Sequence, residues 1–314
     1  MLMENEQAQA RTQVPPYVLE NRYPLQLAPA MPDIWDLWQR SKNLEWDPQT
    51  DIPWDELQPE NYRPEEIMAA RRYWSRRTWG EYGAIAESPS LLLRFCIENR
   101  MPDLRFYFTM RTMEEGRHAE ASWMMAERLG GYFPQPENPP TVGAVGTHGV
   151  RRMAFDPDTS LEGIFAALVC AAEEILIDVF KATLHKATNP AVHTLMKLIL
   201  RDEVRHISFG WRCLDAWAPN FTPETVRNIE QAVSTMIENV EFRGYRNLWL
   251  AIEGGDATPA EIDADRASCE AGLGGNTPQD EMEIFPQFVT KIRKRMAPWG
   301  VNLPLYKHPR LGEI

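Results

Sequence analysis

Met113-Glu114-Glu115-Gly116-Arg117-His118-Ala119-Glu120 is the stretch whose reading decides the fold. Glu115 and His118 stand at i and i+3, which on a helix puts both side chains on one face about one turn apart. Such a face offers a carboxylate and an imidazole to the same metal ion. A second copy lies downstream, Asp202-Glu203-Val204-Arg205-His206, in which Glu203 and His206 repeat the spacing. A lone Glu-x-x-His is a weak signal in a chain of 314 residues. Two copies, both extended to acid-Glu-x-Arg-His, are much harder to obtain by chance.

Two such motifs, plus one Glu from each of two other helices, make the di-iron or di-manganese carboxylate site of ferritin-like four-helix bundles. The first further helix begins at Arg63-Pro64-Glu65-Glu66, with Pro in its first turn and acids at the positive end of the dipole. It is expected to run to about Glu87, where Ser88-Pro89-Ser90 breaks it, with a short apolar helix from Leu91 to Asn99. Glu81 lies on a stripe with Ile67, Tyr73, Trp74, Thr78 and Ile85, an acid on a face that otherwise points to the core. Buried Glu is rare unless paired or coordinating, so Glu81 is the candidate ligand. The second helix, about Pro102 to Leu129, carries the first motif and ends at Gly130-Gly131.

A long Pro- and Gly-rich connection, 132–159, follows in the place of the crossover of a ferritin-like bundle. His148 within it reads as a solvated loop histidine. The third helix, about Ser160 to Ala187, has two acids in an apolar run, Glu173 and Glu174. Glu174 shares a side with the small residues Ala167, Cys170 and Ala171, where a metal can approach closely, and is favoured as the ligand. Glu173 shares a side with Val169, Leu176 and Phe180 and needs a cationic partner such as Arg201 or Arg205. The fourth helix, about Pro190 to Ala216, carries the second motif; the next, from Thr222-Pro223-Glu224, extends to about Glu253. Shorter helices are expected at 262–273 and 285–295. No strand-like alternation persists, so the class is all-α: a ferritin-like four-helix bundle with additional helices.

The domain reading is an extended, Trp-rich lead-in over 1–62 (Trp35, Trp38, Trp46, Trp54) that packs on a di-metal bundle over 63–255, followed by short helices and a Pro-rich tail over 256–314 in the same domain. The expected ligands are Glu81, Glu115, His118, Glu174, Glu203 and His206. Carboxylate oxygens with two imidazoles suit two iron ions, or manganese or a mixed Mn/Fe pair, better than a thiolate-seeking metal. A ligating imidazole usually donates its other N–H to a carboxylate, so Asp202 is expected to orient His118 and Glu114 to orient His206.

Composition narrows the rest. At 44% hydrophobic and 25% charged the chain is globular, and a net charge of −12 argues against nucleic acid or an anionic membrane as partner. No apolar run approaches the length of a membrane span. The N-terminus lacks a signal-peptide core, and Cys96, Cys170, Cys213 and Cys269 form no C-x-x-C pair. The expected compartment is the cytoplasm. Without a flavin or nicotinamide fingerprint, electrons for O2 are expected from a separate ferredoxin or reductase, and the protein is expected to be a homodimer.

From Arg63 to about Trp217 the sequence resembles the ferritin-like di-iron carboxylate superfamily. Glu-Glu-Gly-Arg-His, Ala-Glu-Glu-Ile-Leu-Ile-Asp and Asp-Glu-Val-Arg-His, with Trp46-Asp47-Pro48 and Ile52-Pro53-Trp54, look most like the aminobenzoate N-oxygenase group. That resemblance implies O2 activation at a di-iron site and oxygen transfer to a small aromatic or amine substrate. Those enzymes carry an additional His ligand one turn before the last motif's Glu, where this chain has Ile199. The expectation therefore widens from N-oxygenation to C–H hydroxylation, desaturation or cleavage, with metal storage or a structural bundle as the non-enzymatic alternative. Other relatives fit less well. A ribonucleotide reductase small subunit would place Tyr at position 122, which is Ser, and a rubrerythrin would need cysteine pairs. An acyl-carrier-protein desaturase would place a Thr one turn past the third helix's ligand, where Ile177 and Asp178 stand.

Overall fold

The computed structural model describes residues 30–98, 100, 102–135, 159–251 and 259–314. Helix α1, Pro32–Ser41, belongs to the lead-in. Helix α2, Pro64–Ile97, starts with Pro at its first turn and a capping box in which the Arg63 backbone N–H donates to Glu66 Oε2 at 2.9 Å. It does not break at Pro89 but runs on through the segment expected as a separate helix. Pro89 removes one backbone donor. The turn is held instead by a local bond and a tertiary one: Ser90 Oγ donates to the Glu87 carbonyl at 2.7 Å, and Arg111 Nη1 donates to Ser88 Oγ at 2.6 Å.

Helix α3, Pro102–Arg128, runs back along α2 and ends at Gly130 and Gly131, whose φ of 116° and 122° only glycine adopts at little cost. The central part of the 132–159 crossover, with His148, lies outside the described residues. Helix α4 has three parts: Leu161–Phe165, a π-helical turn Ala166–Ala171, and Ala172–Lys186. Ser160 caps it by accepting from Gly163 N–H at 3.1 Å. Helix α5, Pro190–Trp217, is capped by Asn189, whose Oδ1 accepts from Ala191 and Val192 N–H. Such caps each contribute about 1 kcal/mol. The same Asn189 donates Nδ2 to the carbonyls of Glu56 and Leu57, tying the lead-in to the bundle.

Helices α2 to α5 form the bundle. One end is filled by Phe95, Phe108, Phe165 and Phe209, with Tyr107 stacked on Phe209 at 3.9 Å. Helix α6, Pro223–Asn239, stops well short of the expected Glu253. Short 3-10 turns at Glu241–Arg243 and Leu248–Leu250 follow, with Gly244 in the left-handed region at φ 83°. Helix α7, Pro259–Glu270, packs on α2, and α8, Pro278–Met296, packs on α4. The only strands among the described residues are two antiparallel pairs of residues, Lys307–His308 and Gly312–Glu313. No described helix is long and apolar enough to cross a membrane.

Candidate metal centre

Two groups of buried side chains meet at the centre of the bundle. Glu81, Glu115, His118 and Glu203 bring one potential ligand atom each to within 4.8 Å of one another, and Glu115, Glu173, Glu203 and His206 do the same. Glu115 and Glu203 belong to both groups. The two motif glutamates therefore lie between two adjacent four-donor positions, with Glu81 and His118 at the outside of one and Glu173 and His206 at the outside of the other.

The imidazoles are held from behind, across the bundle. His118 Nε2 lies 3.2 Å from Asp202 Oδ2, and His206 Nε2 lies 2.8 Å from Glu114 Oε2. One guanidinium, Arg205, donates to both of these outer carboxylates: to Asp202 Oδ1 at 2.6 Å and to Glu114 Oε1. The lead-in adds a further donor, Trp46 Nε1 to Asp202 Oδ2 at 2.8 Å. With Nε2 engaged in this way, each imidazole turns Nδ1 inward. His118 Nδ1 makes no hydrogen bond, although Glu203 Oε1 stands 3.3 Å away and Glu81 Oε2 and Glu115 Oε2 stand 3.8 Å away. A buried nitrogen facing three carboxylate oxygens, none in hydrogen-bonding geometry, fits a cation between them better than it fits a satisfied polar core. The donor set of carboxylates and two imidazoles is also that of a first-row metal pair.

The proton affinities agree with that fit. Burial lowers the pKa of His118, but the Asp202 and Glu203 carboxylates outweigh it and push it up to about 10; His206, facing Glu203 and Glu114, also rises to about 10. Glu203 is subject to burial too, yet His206 and His118 hold it well below the usual carboxylate range. Burial, reinforced by the charge of Glu203, raises Glu173 to about 8. The cluster draws positive charge to itself, and metal ligation would displace the protons it holds.

The acid that α4 contributes is Glu173, which corrects the expectation of Glu174. Glu174 Oε2 accepts from Trp211 Nε1 at 2.6 Å, and its Oε1 is paired with Lys291, away from the cluster. The π turn is the reason. Two regular turns after the core-facing Phe165 fall about seven residues on, at position 172, and the π turn's extra residue puts Glu173 in that slot. The small residues mark something else, a close helix approach. A Cβ on Gly210 of α5 would lie 2.7 Å from the Val169 carbonyl and 3.0 Å from Cys170 Sγ. The cationic partner of Glu173 is Arg111, not Arg201 or Arg205.

Sequence reasoning missed the arginines. Arg77 pairs with Glu81, and Arg111 lies 3.0 Å from Glu115, both at i,i+4 spacing. The repeated Arg-x-x-x-Glu on two inner stripes was the available signal. It also missed a cavity of about 70 Å³ against the cluster between α2, α4 and α6. Arg77, Glu87, Arg111 and Arg246 line it with Tyr73 and Tyr245, and Leu168, Leu176 and Met236 form its apolar wall.

Comparison with known proteins adds the fold. No protein-family model and no curated protein matches the chain. Solved structures do: a variant of an R2-like ligand-binding oxidase with an aerobically reconstituted Mn/Fe cofactor aligns with TM-score 0.59 at 13% identity, covering 83% of this chain and 92% of that one. The chain shares that fold. Two further variants of the oxidase, one with an anaerobically reconstituted Mn/Fe and one with an Fe/Fe cofactor, align with TM-scores of 0.54 and 0.51 at 14% identity and the same coverage.

Proposed function

We propose that the chain is a di-metal oxidase that uses O2 to oxidise a small organic molecule in the cavity beside α2, α4 and α6. The observation that carries this reading is the pair of four-donor groups sharing Glu115 and Glu203. In it Glu81 and His118 would hold one ion and Glu173 and His206 the other, with Glu115 and Glu203 within reach of both. The R2-like neighbours hold Mn/Fe or Fe/Fe, and the hard donor set here suits the same metals. Such a pair supplies the electrons that activate O2.

The chain's own groups position and enclose. Asp202 and Glu114, tied through Arg205, fix the two imidazoles so that Nδ1 faces inward. Leu168, Leu176 and Met236 keep one side of the cavity apolar, and Tyr73 and Tyr245 bring hydroxyl-bearing rings to it. The finer reading is oxygen insertion, as N-oxygenation or C–H hydroxylation, by a cytoplasmic homodimer. Electrons come from a ferredoxin or reductase.

Anaerobic loading with Fe(II), alone and with Mn(II), followed by elemental analysis and O2 uptake, tests the reading. The expected result is about two ions per chain, as in di-metal carboxylate bundles, and rapid O2 consumption. No retained metal, many ions per chain, or a loaded protein inert to O2 would each overturn it.

A further inference from the structure

The cavity beside the cluster adjoins a second, smaller space. It has a volume of about 10 Å³, close to what one water molecule needs, and its lining includes Asn247, Asp265, Asn276 and Glu281. Tyr73, Arg77 and Arg246 line both spaces and form the wall between the cavity at the carboxylate cluster and the space beside Glu281.

Glu281 is fully buried in the first turns of α8. Its Oε1 accepts from Asn247 Nδ2 at 3.2 Å, and its Oε2 has no hydrogen-bond partner. Two of its acidic neighbours are ion-paired with arginines. Arg76 Nη2 donates to both oxygens of Asp265 at 2.6 and 2.7 Å, and Arg246 Nε donates to Glu241 Oε1 at 3.0 Å. Burial, reinforced by the charges of Asp265, Glu241 and Asp280, pushes Glu281 up to about 8, so at neutral pH it keeps its proton. Arg77 and Arg246, which line the space beside it, have guanidinium groups that donate but cannot accept, and so relay no proton. Tyr73 and a water in the small space can relay one.

We propose that Glu281 is the internal proton donor for the cavity. Its carboxyl proton passes through the water space to the Tyr73 hydroxyl, which releases its own proton into the cavity; the carboxylate is then reprotonated from solvent past Asp280. The proposal rests on the oxidase reading, because reducing O2 to water takes up one proton with each electron and the side chains of the cluster are buried.

Two measurements on the full chain test it. In the metal-free protein, infrared spectroscopy at pH 7 should show protonated-carboxyl absorption of which Glu281→Gln removes one component and Glu173→Gln a different one. An unchanged protonated-carboxyl region in Glu281→Gln would overturn the assignment. In Fe(II)-loaded protein mixed with O2, Glu281→Gln and Tyr73→Phe should each slow O2 consumption at least tenfold. Metal content should stay at the wild-type level, the solvent deuterium effect should grow, and Glu281→Asp should recover part of the rate. Wild-type rates and an unchanged pH profile in Glu281→Gln would overturn the donor role. A wild-type protein that takes up no O2 would overturn the oxidase reading and with it the demand for a donor, while the infrared band would still decide whether Glu281 holds a proton.

Discussion

The two halves of the centre are built alike and reached differently. α2 and α3 give Glu81, Glu115 and His118; α4 and α5 give Glu173, Glu203 and His206. Each imidazole is backed by the acid that precedes the other half's shared glutamate, so the halves hold each other in place. The α2–α3 half is regular helix, and the face of Glu81 follows from counting at 3.6 residues per turn. The α4–α5 half depends on a π turn at Ala166–Ala171, which moves the face that meets the cluster by one residue. Regular periodicity places a side chain only while the backbone stays regular, and π turns gather at functional sites.

The largest effects should follow from the shared and disputed glutamates. Glu203→Ala removes a donor common to both groups, and elemental analysis should find close to no metal retained in a chain that still folds. Glu173→Ala should cost one of the two ions, whereas Glu174→Ala should retain both. Full occupancy in the first with loss in the second would return the ligand role to Glu174.

The outer carboxylates come next. Asp202→Ala and Glu114→Ala each leave an imidazole without its orienting acceptor, a change that typically costs about 10–100-fold in metal affinity. Asp202 should cost more, because it also accepts from Trp46 and Arg205, while Glu114 accepts from Arg205. Competition titrations with a chelating dye compare the two. Equal losses would mean that the lead-in contributes nothing to the first half of the site.

Much of this was legible in the sequence because it depends on short-range spacing. Glu115 with His118 and Glu203 with His206 need only one turn of helix. Asp202 and Glu114 are fixed by adjacency to those motifs once the bundle is assumed. The contribution of α4 was not legible, since a π turn has no clear sequence mark in the apolar run Leu161 to Cys170. Pro89 misled for the complementary reason. Its local preference is to end a helix, and contacts from Arg111 and Ser90, far or near in sequence, override it.

Gly210→Ala tests the backbone side of the comparison. The new Cβ would stand 2.7 Å from the Val169 carbonyl, inside the π turn, with little room for either helix to move. Overpacking of this kind costs about 1–3 kcal/mol, visible as a lower thermal midpoint. If metal content falls along with stability, the close approach of α5 also keeps Glu173 in register. If stability alone falls, the π turn holds without it.

The last test separates the centre from the buried acid beside it. Burial pushes Glu281 up to about 8 in the folded chain, against 4.5 for an ordinary glutamate. Between those values the folded state binds more protons than the unfolded state, so this group makes stability fall as pH rises. Below the lower value both states are protonated and the contribution is flat. Gln at 281 keeps an oxygen for Asn247 Nδ2 and cannot ionise. The stability of Glu281→Gln relative to wild type should therefore be constant below about pH 4 and rise by about 1 kcal/mol per pH unit between pH 5 and 8. Taking the difference between the two proteins cancels the titration of His118, His206 and Glu173, which both share. Denaturant titrations at several pH values measure it. A flat difference would mean that Glu281 ionises as readily inside the protein as outside, which its burial and its unpaired Oε2 argue against.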